Sequence, residues 1–330
     1  RRTAPGQIMS ADLPDLPGVR RVLVTGASGF VGRPLCKLLQ ADGHRVWVMG
    51  RRDYNGQDLP DGIEGVTVQS VGDPIPDDLR VWRPETVVHL AWSGIPDYGA
   101  ECSVANLEDQ LRFVNQMIGI GSVRRVVGAG TCFEYGSRGG PCTEDEDAVP
   151  SSYVAWAKQS LRRYLLLATD DSPIDLVWFR IFFAYGPGQR NGGLLPSMLR
   201  TAASGITPEL KNPDGAKDFV YVDDVADAFR CAVDPGSPSG TFNLGSGQLA
   251  SIRDVRDAAI LTIEGRPVDE ADFRPVSAET AEREMCASLE RVSEVFGWRP
   301  SVALDEGIRR TWDAMCEAGP SRDGEGCPDG

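Results

Sequence analysis

Residues 22–32 read VLVTGASGFVG, an apolar run that ends in three glycines spaced G-x-x-G-x-x-G. A segment typical of a helix follows over residues 33–41. This order of strand, glycine turn and helix is the context that a dinucleotide fingerprint needs. In it Gly26 allows a tight turn, Gly29 lets the backbone approach a pyrophosphate, and Gly32 lets the helix pack closely on the strand. The free N–H groups at the start of the helix then favour binding of the phosphates.

Short β-type runs alternate with helical segments over the first half of the chain. Apolar strands that alternate with helices predict a parallel sheet covered on both faces, the α/β doubly wound Rossmann fold. Ligands of such sheets bind at the carboxyl ends of the strands, so the residues that follow each strand are candidate site residues. The predicted strands after the first are 45–49, 66–69, 86–91, 125–129 and 176–183, and the main predicted helices between them are 104–120 and 155–168.

The character of the chain changes after Tyr185, where Pro, Gly and charged residues become frequent and the strand-like runs become short. We therefore expect a dinucleotide-binding domain over residues 19–185. A smaller, irregular substrate-binding region is expected over residues 186–316, with some interleaving of its chain with the first domain. Residues 1–18 are expected to form a loose leader and residues 317–330 a frayed tail, because both are rich in Pro, Asp and Gly.

The bulk composition argues against several kinds of partner. A net charge of −14 disfavours nucleic acid, because phosphate binding needs a basic surface. The longest apolar runs fall short of a membrane span, and the first residues lack the apolar core of a signal peptide. Eight scattered cysteines without a C-x-x-C pair indicate free thiols in a reducing cytoplasm. With only two histidines in the chain, we expect no metal site.

The residues after the second and third strands bear on the choice of cofactor. Arg51 and Arg52 stand where an acidic residue would bind the ribose 2′-hydroxyl of NAD. A guanidinium there suits a 2′-phosphate, so NADP(H) is favoured and NAD(H) stays possible. Asp73, after the third strand, either accepts a hydrogen bond from the adenine amino group or forms a turn before Pro74.

Seven short segments, spread almost from end to end, carry a resemblance to a known family. They are TGASGFVG (25–32), VVHLA (87–91), TCFEYG (131–136), RIFFAYGPG (180–188), KDFVYVDDVA (217–226), TFNLGSG (241–247) and FGWRP (296–300). With them the chain resembles the extended short-chain dehydrogenases/reductases of the nucleotide-sugar epimerase/dehydratase family. LAWSG (90–94) and GTCFEYG (130–136) are most similar to its sugar 4-ketoreductase branch, which reduces nucleotide-linked 4-keto-6-deoxyhexoses.

This resemblance assigns chemical roles. In the family a Ser or Thr hydroxyl orients the carbonyl, a Tyr passes a proton to or from the sugar oxygen, and a Lys holds the ribose hydroxyls and lowers the Tyr pKa. Thr131 matches the hydroxyl position and Lys158 matches the lysine. The implied cofactor contacts are Gly26, Ser28, Gly29, Phe30, Val31, Gly32, Arg51, Arg52, Asp73, Leu90, Ala91, Lys158 and Phe183, and the implied substrate contacts are Trp92, Ser93, Asn191, Leu194 and Lys217.

The tyrosine departs from the pattern. Val154 stands four residues before Lys158, and Tyr153 stands five before it. On a regular helix residues i and i+4 diverge by ~40°, whereas i and i+5 diverge by ~140°. Three alternatives follow: an irregular first turn rotates Tyr153 back, the redox step has been lost, or another group supplies the proton. The candidates for that group are Glu134, Cys132, Tyr135 and water.

The resemblance implies a cytoplasmic, NADPH-dependent reductase of a nucleotide-activated 4-keto-6-deoxyhexose. A homodimer formed through the helices at 104–120 and 155–168 is expected with it. The alternatives are a nucleotide-sugar epimerase on the same fold and a non-catalytic NADP-binding protein. A dehydratase is disfavoured, because Cys132 and Phe133 stand where such enzymes carry an acidic pair.

Overall fold

The computed structural model describes residues 18–51, 63–265 and 276–318. The strands in chain order are β1 (Arg21–Thr25), β2 (Arg45–Gly50), β3 (Glu64–Thr67), β4 (Thr86–His89), β5 (Arg125–Ala129), β6 (Gly140–Cys142), β7 (Asp175–Ile181), β8 (Phe183–Tyr185), β9 (Ala216–Lys217), β10 (Phe219–Tyr221), β11 (Gly240–Leu244), β12 (Ala250–Ser251) and β13 (Met285–Ala287). The α-helices are α1 (Gly32–Ala41), α2 (Asp77–Trp82), α3 (Ala100–Ile120), α4 (Tyr153–Thr169), α5 (Leu194–Ala203), α6 (Val222–Cys231), α7 (Ile252–Glu264), α8 (Ala278–Arg283), α9 (Glu290–Phe296) and α10 (Leu304–Glu317). A 3-10 helix, Cys132–Tyr135, follows β5.

A seven-stranded sheet forms the centre, in the order β11-β7-β5-β4-β1-β2-β3. Every pair of neighbouring strands in it is parallel, which confirms the predicted α/β doubly wound Rossmann fold. Strand order reverses at β1, where Thr25 pairs with Met49 of β2 on one side and His89 of β4 on the other. Such a switch point opens a crevice at the carboxyl ends of the strands, where ligands of these folds bind.

Two buried clusters cover the two faces of this sheet, because successive strand residues point to opposite sides. On one face Val24 packs with Leu35 of α1 and Phe229 of α6. On the other face Leu23 packs with Phe113 of α3, and α4 contributes further leucines. These five side chains are fully buried, and each such burial is worth ~1.5–3 kcal/mol. A third cluster, built from α5, α7 and α10 around Tyr185, forms the smaller region beside the sheet.

Several element bounds differ from the predicted ones. The third strand lies at Glu64–Thr67 rather than at 66–69. The run predicted as one strand over 176–183 is divided: the Phe182 N–H makes the last bond to the central sheet, to the Leu244 carbonyl at 2.8 Å, and the Ala184 N–H then donates back to the Phe182 carbonyl at 2.8 Å. Its continuation, β8, pairs with β10 instead. β11 comes from the second half of the chain and forms the sheet edge beside β7.

Candidate functional site

The glycine turn after β1 leaves no room for side chains. Gly26 has φ +72°, and a Cβ atom on it would lie 2.9 Å from the Ala91 nitrogen. A Cβ on Gly29 would lie 2.9 Å from the Gly26 carbonyl oxygen, and one on Gly32 would lie 2.6 Å from the Ala27 Cα. The backbone is therefore bare where a pyrophosphate would approach, and these residues fit a dinucleotide.

Helix α1 begins directly after this turn, at Gly32. No side chain caps it at Val31, and its first turn holds no acidic residue. Uncapped N–H groups at a helix start attract anions. Ser28 and Phe30 belong to the same turn, whose shape is held by a hydrogen bond from the Gly29 N–H to the Gly26 carbonyl at 2.9 Å.

The other proposed cofactor contacts lie around the same crevice. Arg51 directly follows β2 and is exposed, whereas Arg52 lies outside the described residues. Asp73 accepts a hydrogen bond from the Ser70 N–H at 2.8 Å, the contact expected of a turn former. Leu90 and Ala91 follow β4, and the Leu90 N–H donates to the Thr25 carbonyl at 3.2 Å.

A buried chain of hydrogen bonds that was not predicted from the sequence holds the loop after β4. Thr25 Oγ1 lies 2.8 Å from His89 Nδ1 and accepts from the Ala91 N–H at 3.2 Å. Gln110 of α3 accepts from His89 through Oε1 and donates from Nε2 to the Ala91 carbonyl at 3.1 Å. Burial lowers the pKa of His89 to about 4, so the ring is neutral and serves to fix this loop.

Thr131 and Lys158 meet at the carboxyl end of β5. Thr131 is half-buried, begins the 3-10 helix and accepts a hydrogen bond on Oγ1 from the Phe133 N–H at 3.3 Å. Lys158 of α4 donates from Nζ to the carbonyl of Ala129, two residues before Thr131, at 2.9 Å. Its Nζ also lies 5.3 Å from the centre of the Trp92 ring. Burial lowers the pKa of Lys158 to about 8, against a smaller raising effect of the Glu134 carboxylate.

Tyr153 is the first residue of α4, and its side chain is 57% exposed. The turn that it begins is regular: the Trp156 N–H donates to the Ser152 carbonyl at 2.9 Å, and the Ala155 N–H donates to Ser152 Oγ at 3.3 Å. The irregular turn that would rotate Tyr153 toward Lys158 is therefore not present in α4. The side chains of Tyr153 and Lys158 leave a regular helix ~140° apart.

The alternative proton donors on the 3-10 helix are all buried. Burial raises the pKa of the Cys132 thiol, and likewise that of the Tyr135 hydroxyl, to about 12. The Tyr135 hydroxyl donates to Asn243 Oδ1 at 2.8 Å. Glu134 is fully buried, and both its burial and its ion pair with Arg180 at 3.1 Å hold the carboxylate away from a substrate.

The proposed substrate contacts are spread around this centre. The Trp92 indole N–H is buried without a hydrogen-bond partner among the described residues. Ser93 is fixed by its backbone, whose N–H donates to Asn106 Oδ1 at 2.7 Å. Lys217 forms an ion pair with Glu284, and its Nζ lies 5.2 Å from the centre of the Phe183 ring.

Phe133, which was not predicted as a site residue, lies edge-on to Phe183 at 5.7 Å between ring centres and is 44% exposed. An exposed phenylalanine two residues after a candidate active-site threonine is the signal that could have indicated Phe133.

The last two proposed substrate contacts lie at and before the start of α5. Asn191 lies three residues before this helix and accepts on Oδ1 from Arg200 at 2.7 Å, and Leu194 is its exposed first residue.

Metal centres and membrane-spanning helices are both missing from the part of the chain that the structure describes. Within residues 18–51, 63–265 and 276–318, no group of three or more His, Cys, Asp or Glu side chains could hold a metal ion. Over the same ranges, no helix has the length and apolar character that crossing a bilayer requires.

The chain is similar in sequence and structure to known proteins of one family. A model of the NAD dependent epimerase/dehydratase family matches residues 22–245. The chain is 31% identical over 315 residues to a UDP-glucose 4-epimerase of Mycolicibacterium smegmatis, and the match covers 88% of this chain and 97% of that protein. It is 24% identical over 310 residues to a dTDP-4-dehydro-6-deoxyglucose reductase of Escherichia coli, covering 87% and 95%. The UDP-glucose 4-epimerase of Thermus thermophilus, solved in complex with NAD, has a TM-score of 0.72 and 25% identity over 90% of this chain and 99% of that one.

Proposed function

Because the chain belongs to the NAD-dependent epimerase/dehydratase family, we propose that it binds NAD(P) and a nucleotide-diphosphate sugar and exchanges hydride at C4 of the sugar. The observation that carries the proposal is the position of Thr131 and Lys158 at the same edge of the sheet as the bare glycine turn. Gly26, Gly29, Gly32 and the start of α1 would hold the pyrophosphate. When bound, the nicotinamide supplies or accepts the hydride.

The protein's own residues then act at the sugar oxygen. The Thr131 hydroxyl orients that oxygen, and the Lys158 ammonium favours its anionic form. Val154 occupies the position of the expected tyrosine, and the Tyr153 side chain points to a different side of α4 from Lys158. We therefore propose that solvent water donates the proton to the sugar oxygen during reduction and accepts it during oxidation.

Of the two outcomes, 4-epimerisation has the better support, which reverses the order expected from the LAWSG and GTCFEYG segments. The relative with 31% identity is an epimerase, whereas the reductase relative has 24% identity. An epimerase retains its cofactor and returns the hydride to the same carbon, so it needs no external reductant. Reduction of a nucleotide-linked 4-keto-6-deoxyhexose is the second candidate, favoured by the exposed Arg51 after β2.

One experiment separates these functions. The purified protein is denatured to release and identify bound NAD or NADP, and the native protein is incubated with UDP-glucose without added cofactor. Formation of UDP-galactose, followed by NMR, supports epimerisation. Oxidation of added NADPH by dTDP-4-keto-6-deoxyglucose supports reduction instead. No turnover in either assay with cofactor bound would favour a non-catalytic NAD(P)-binding protein.

We also propose that NADP(H) is preferred through Arg51, with NAD(H) as the alternative. Arg51→Ala is expected to weaken NADP binding about tenfold and leave NAD binding unchanged, because a charged hydrogen bond contributes ~1.5–3 kcal/mol. Isothermal titration with each nucleotide measures this. Arg80→Ala, on exposed α2, is the matched control. Equal NADP affinity in wild type and Arg51→Ala would exclude the 2′-phosphate contact.

A homodimer through α3 and α4 is proposed as well. Val104, Trp156 and Leu167 on these helices are 52%, 42% and 80% exposed, an apolar surface of the kind that a partner helix covers. Leu167→Glu is expected to convert the dimer to monomer, measured by light scattering after size exclusion. Leu261→Glu, on α7, should leave the mass unchanged. A wild type that is monomeric at micromolar concentration would contradict the proposal.

The cellular location stays a proposal. The described cysteines are all free thiols, in keeping with a reducing cytoplasm.

A further inference from the structure

Glu134 is a fully buried carboxylate that the proposed reaction does not use. It accepts hydrogen bonds on Oε1 from the Thr131 N–H and from Trp178 Nε1, both at 3.0 Å. Its Oε2 accepts from Arg180 Nε at 3.1 Å. Both oxygens are thus fixed, by two side chains of β7 and by the backbone that follows β5, and charged hydrogen bonds of this kind hold geometry tightly.

The same carboxylate decides how the Thr131 hydroxyl is presented. Glu134 and Thr131 form a reciprocal capping box, in which the Thr131 N–H donates to Glu134 and Thr131 Oγ1 accepts from the Phe133 N–H. An oxygen that accepts from a backbone N–H directs its own hydrogen elsewhere. The Thr131 hydroxyl can therefore donate its own hydrogen to another acceptor, and we expect a sugar oxygen to be that acceptor.

Glu134 also carries the negative charge that acts on Lys158. The 3-10 helix that contains Glu134 packs against α4, and the Glu134 carboxylate opposes the lowering of the Lys158 pKa by burial. Within residues 18–51, 63–265 and 276–318, the other groups found to face Lys158 are uncharged: the His89 ring of β4, the Trp92 ring and the Ala129 carbonyl. Without the negative charge of Glu134, burial alone would act on the pKa of the Lys158 ammonium.

We propose that Glu134 is a positioning residue for the reaction: through the capping box it fixes the segment that presents the Thr131 hydroxyl, and from the 3-10 helix that packs against α4 it supplies a negative charge that acts on Lys158. The inference rests on the proposed function for its effect on turnover, but not for its effect on Lys158. Arg180 belongs to the same arrangement, because its guanidinium balances the buried negative charge of Glu134.

Glu134→Gln tests the charge, because the amide keeps an acceptor for the Thr131 N–H. The Lys158 titration midpoint is expected to move down by about one pH unit. Trace labelling of the cofactor-free protein with acetic anhydride across pH, followed by peptide mapping, measures this midpoint. Glu144→Gln is the control: Glu144 is a half-buried carboxylate that accepts from the Asn243 N–H at 2.8 Å, and its loss should leave the midpoint unchanged.

Turnover gives the second readout. Activity that needs cationic Lys158 is present below its pKa and lost above it, so the alkaline limb of kcat should move to lower pH in Glu134→Gln, with kcat about tenfold lower and KM unchanged. Glu134→Asp keeps the charge but is too short to reach Thr131 and Arg180 together. It should lower kcat without moving the limb.

The outcomes for Lys158 and for turnover are independent. An unchanged Lys158 midpoint in Glu134→Gln contradicts the inference whatever the activity. If Glu134→Gln does not fold, the double variant Glu134→Gln/Arg180→Met removes both buried charges and carries the same test. If the wild type turns over no nucleotide sugar, the proposed function fails, while the labelling midpoints still decide the role of Glu134.

Discussion

Thr131→Val is expected to lower kcat about a thousandfold, because the substitution keeps the volume of the side chain but removes the hydroxyl that orients the sugar oxygen. Cofactor affinity should stay within about twofold of wild type, since the proposed pyrophosphate contacts lie on another loop, after β1. The matched comparison is Tyr153→Phe, which also removes a single hydroxyl. Steady-state kinetics with the nucleotide sugar, at saturating cofactor, measures both.

Tyr153→Phe is expected to change kcat by less than about threefold, because its exposed side chain leaves α4 on a different side from Lys158. A loss as large as that of Thr131→Val would instead identify Tyr153 as the proton donor and overturn the assignment to water. Melting temperatures of both variants establish that folded protein is compared. Loss of the threonine cap alone should cost ~1 kcal/mol.

Gly32→Ala is expected to weaken NAD(P) binding at least a hundredfold. Its new Cβ would lie 2.6 Å from the Ala27 Cα, and since the crowding atoms belong to the backbone, the turn itself must open. Pyrophosphate contacts depend on that turn. Fluorescence titration with reduced nicotinamide cofactor measures the affinity.

Gly119→Ala is the control for this substitution. Gly119 lies within α3, and nothing lies within 4 Å of a Cβ placed on it. Because alanine is the better helix former, this variant should bind cofactor normally and gain ~0.5–1 kcal/mol of stability. Equal cofactor affinity in Gly32→Ala and Gly119→Ala would remove the glycine turn from the binding site.

The sheet was predictable from sequence because its signals are local. Apolar strands such as β1 and β5 are continuous in sequence. The glycine turn is recognisable from seven consecutive residues, 26–32. The positions of Thr131 and Lys158 followed as well, since each lies at a fixed distance from a recognisable segment. The identity of the proton donor could not be predicted from the sequence, because the direction of a side chain at the start of α4 depends on where that helix begins.

The contacts that hold the site were beyond the sequence, because their partners are distant along the chain. Glu134 was expected as a possible acid, and only the fold shows Arg180 and Trp178 of β7 donating to its carboxylate. His89 was considered as one of two histidines and as part of the VVHLA segment, yet only the fold shows that it connects Thr25 to Gln110. Such pairings are fixed by strand order, which no segment encodes alone.

The place of β11 at the edge of the central sheet bears on how the chain folds during synthesis. Until residues 240–244 have left the ribosome, the open backbone edge of β7 has no neighbouring strand. An unpaired strand edge is a site for association with other chains. We therefore expect nascent chains that end before residue 240 to need protection by chaperones. We also expect any truncation before β11 to yield aggregates rather than an isolated cofactor-binding domain.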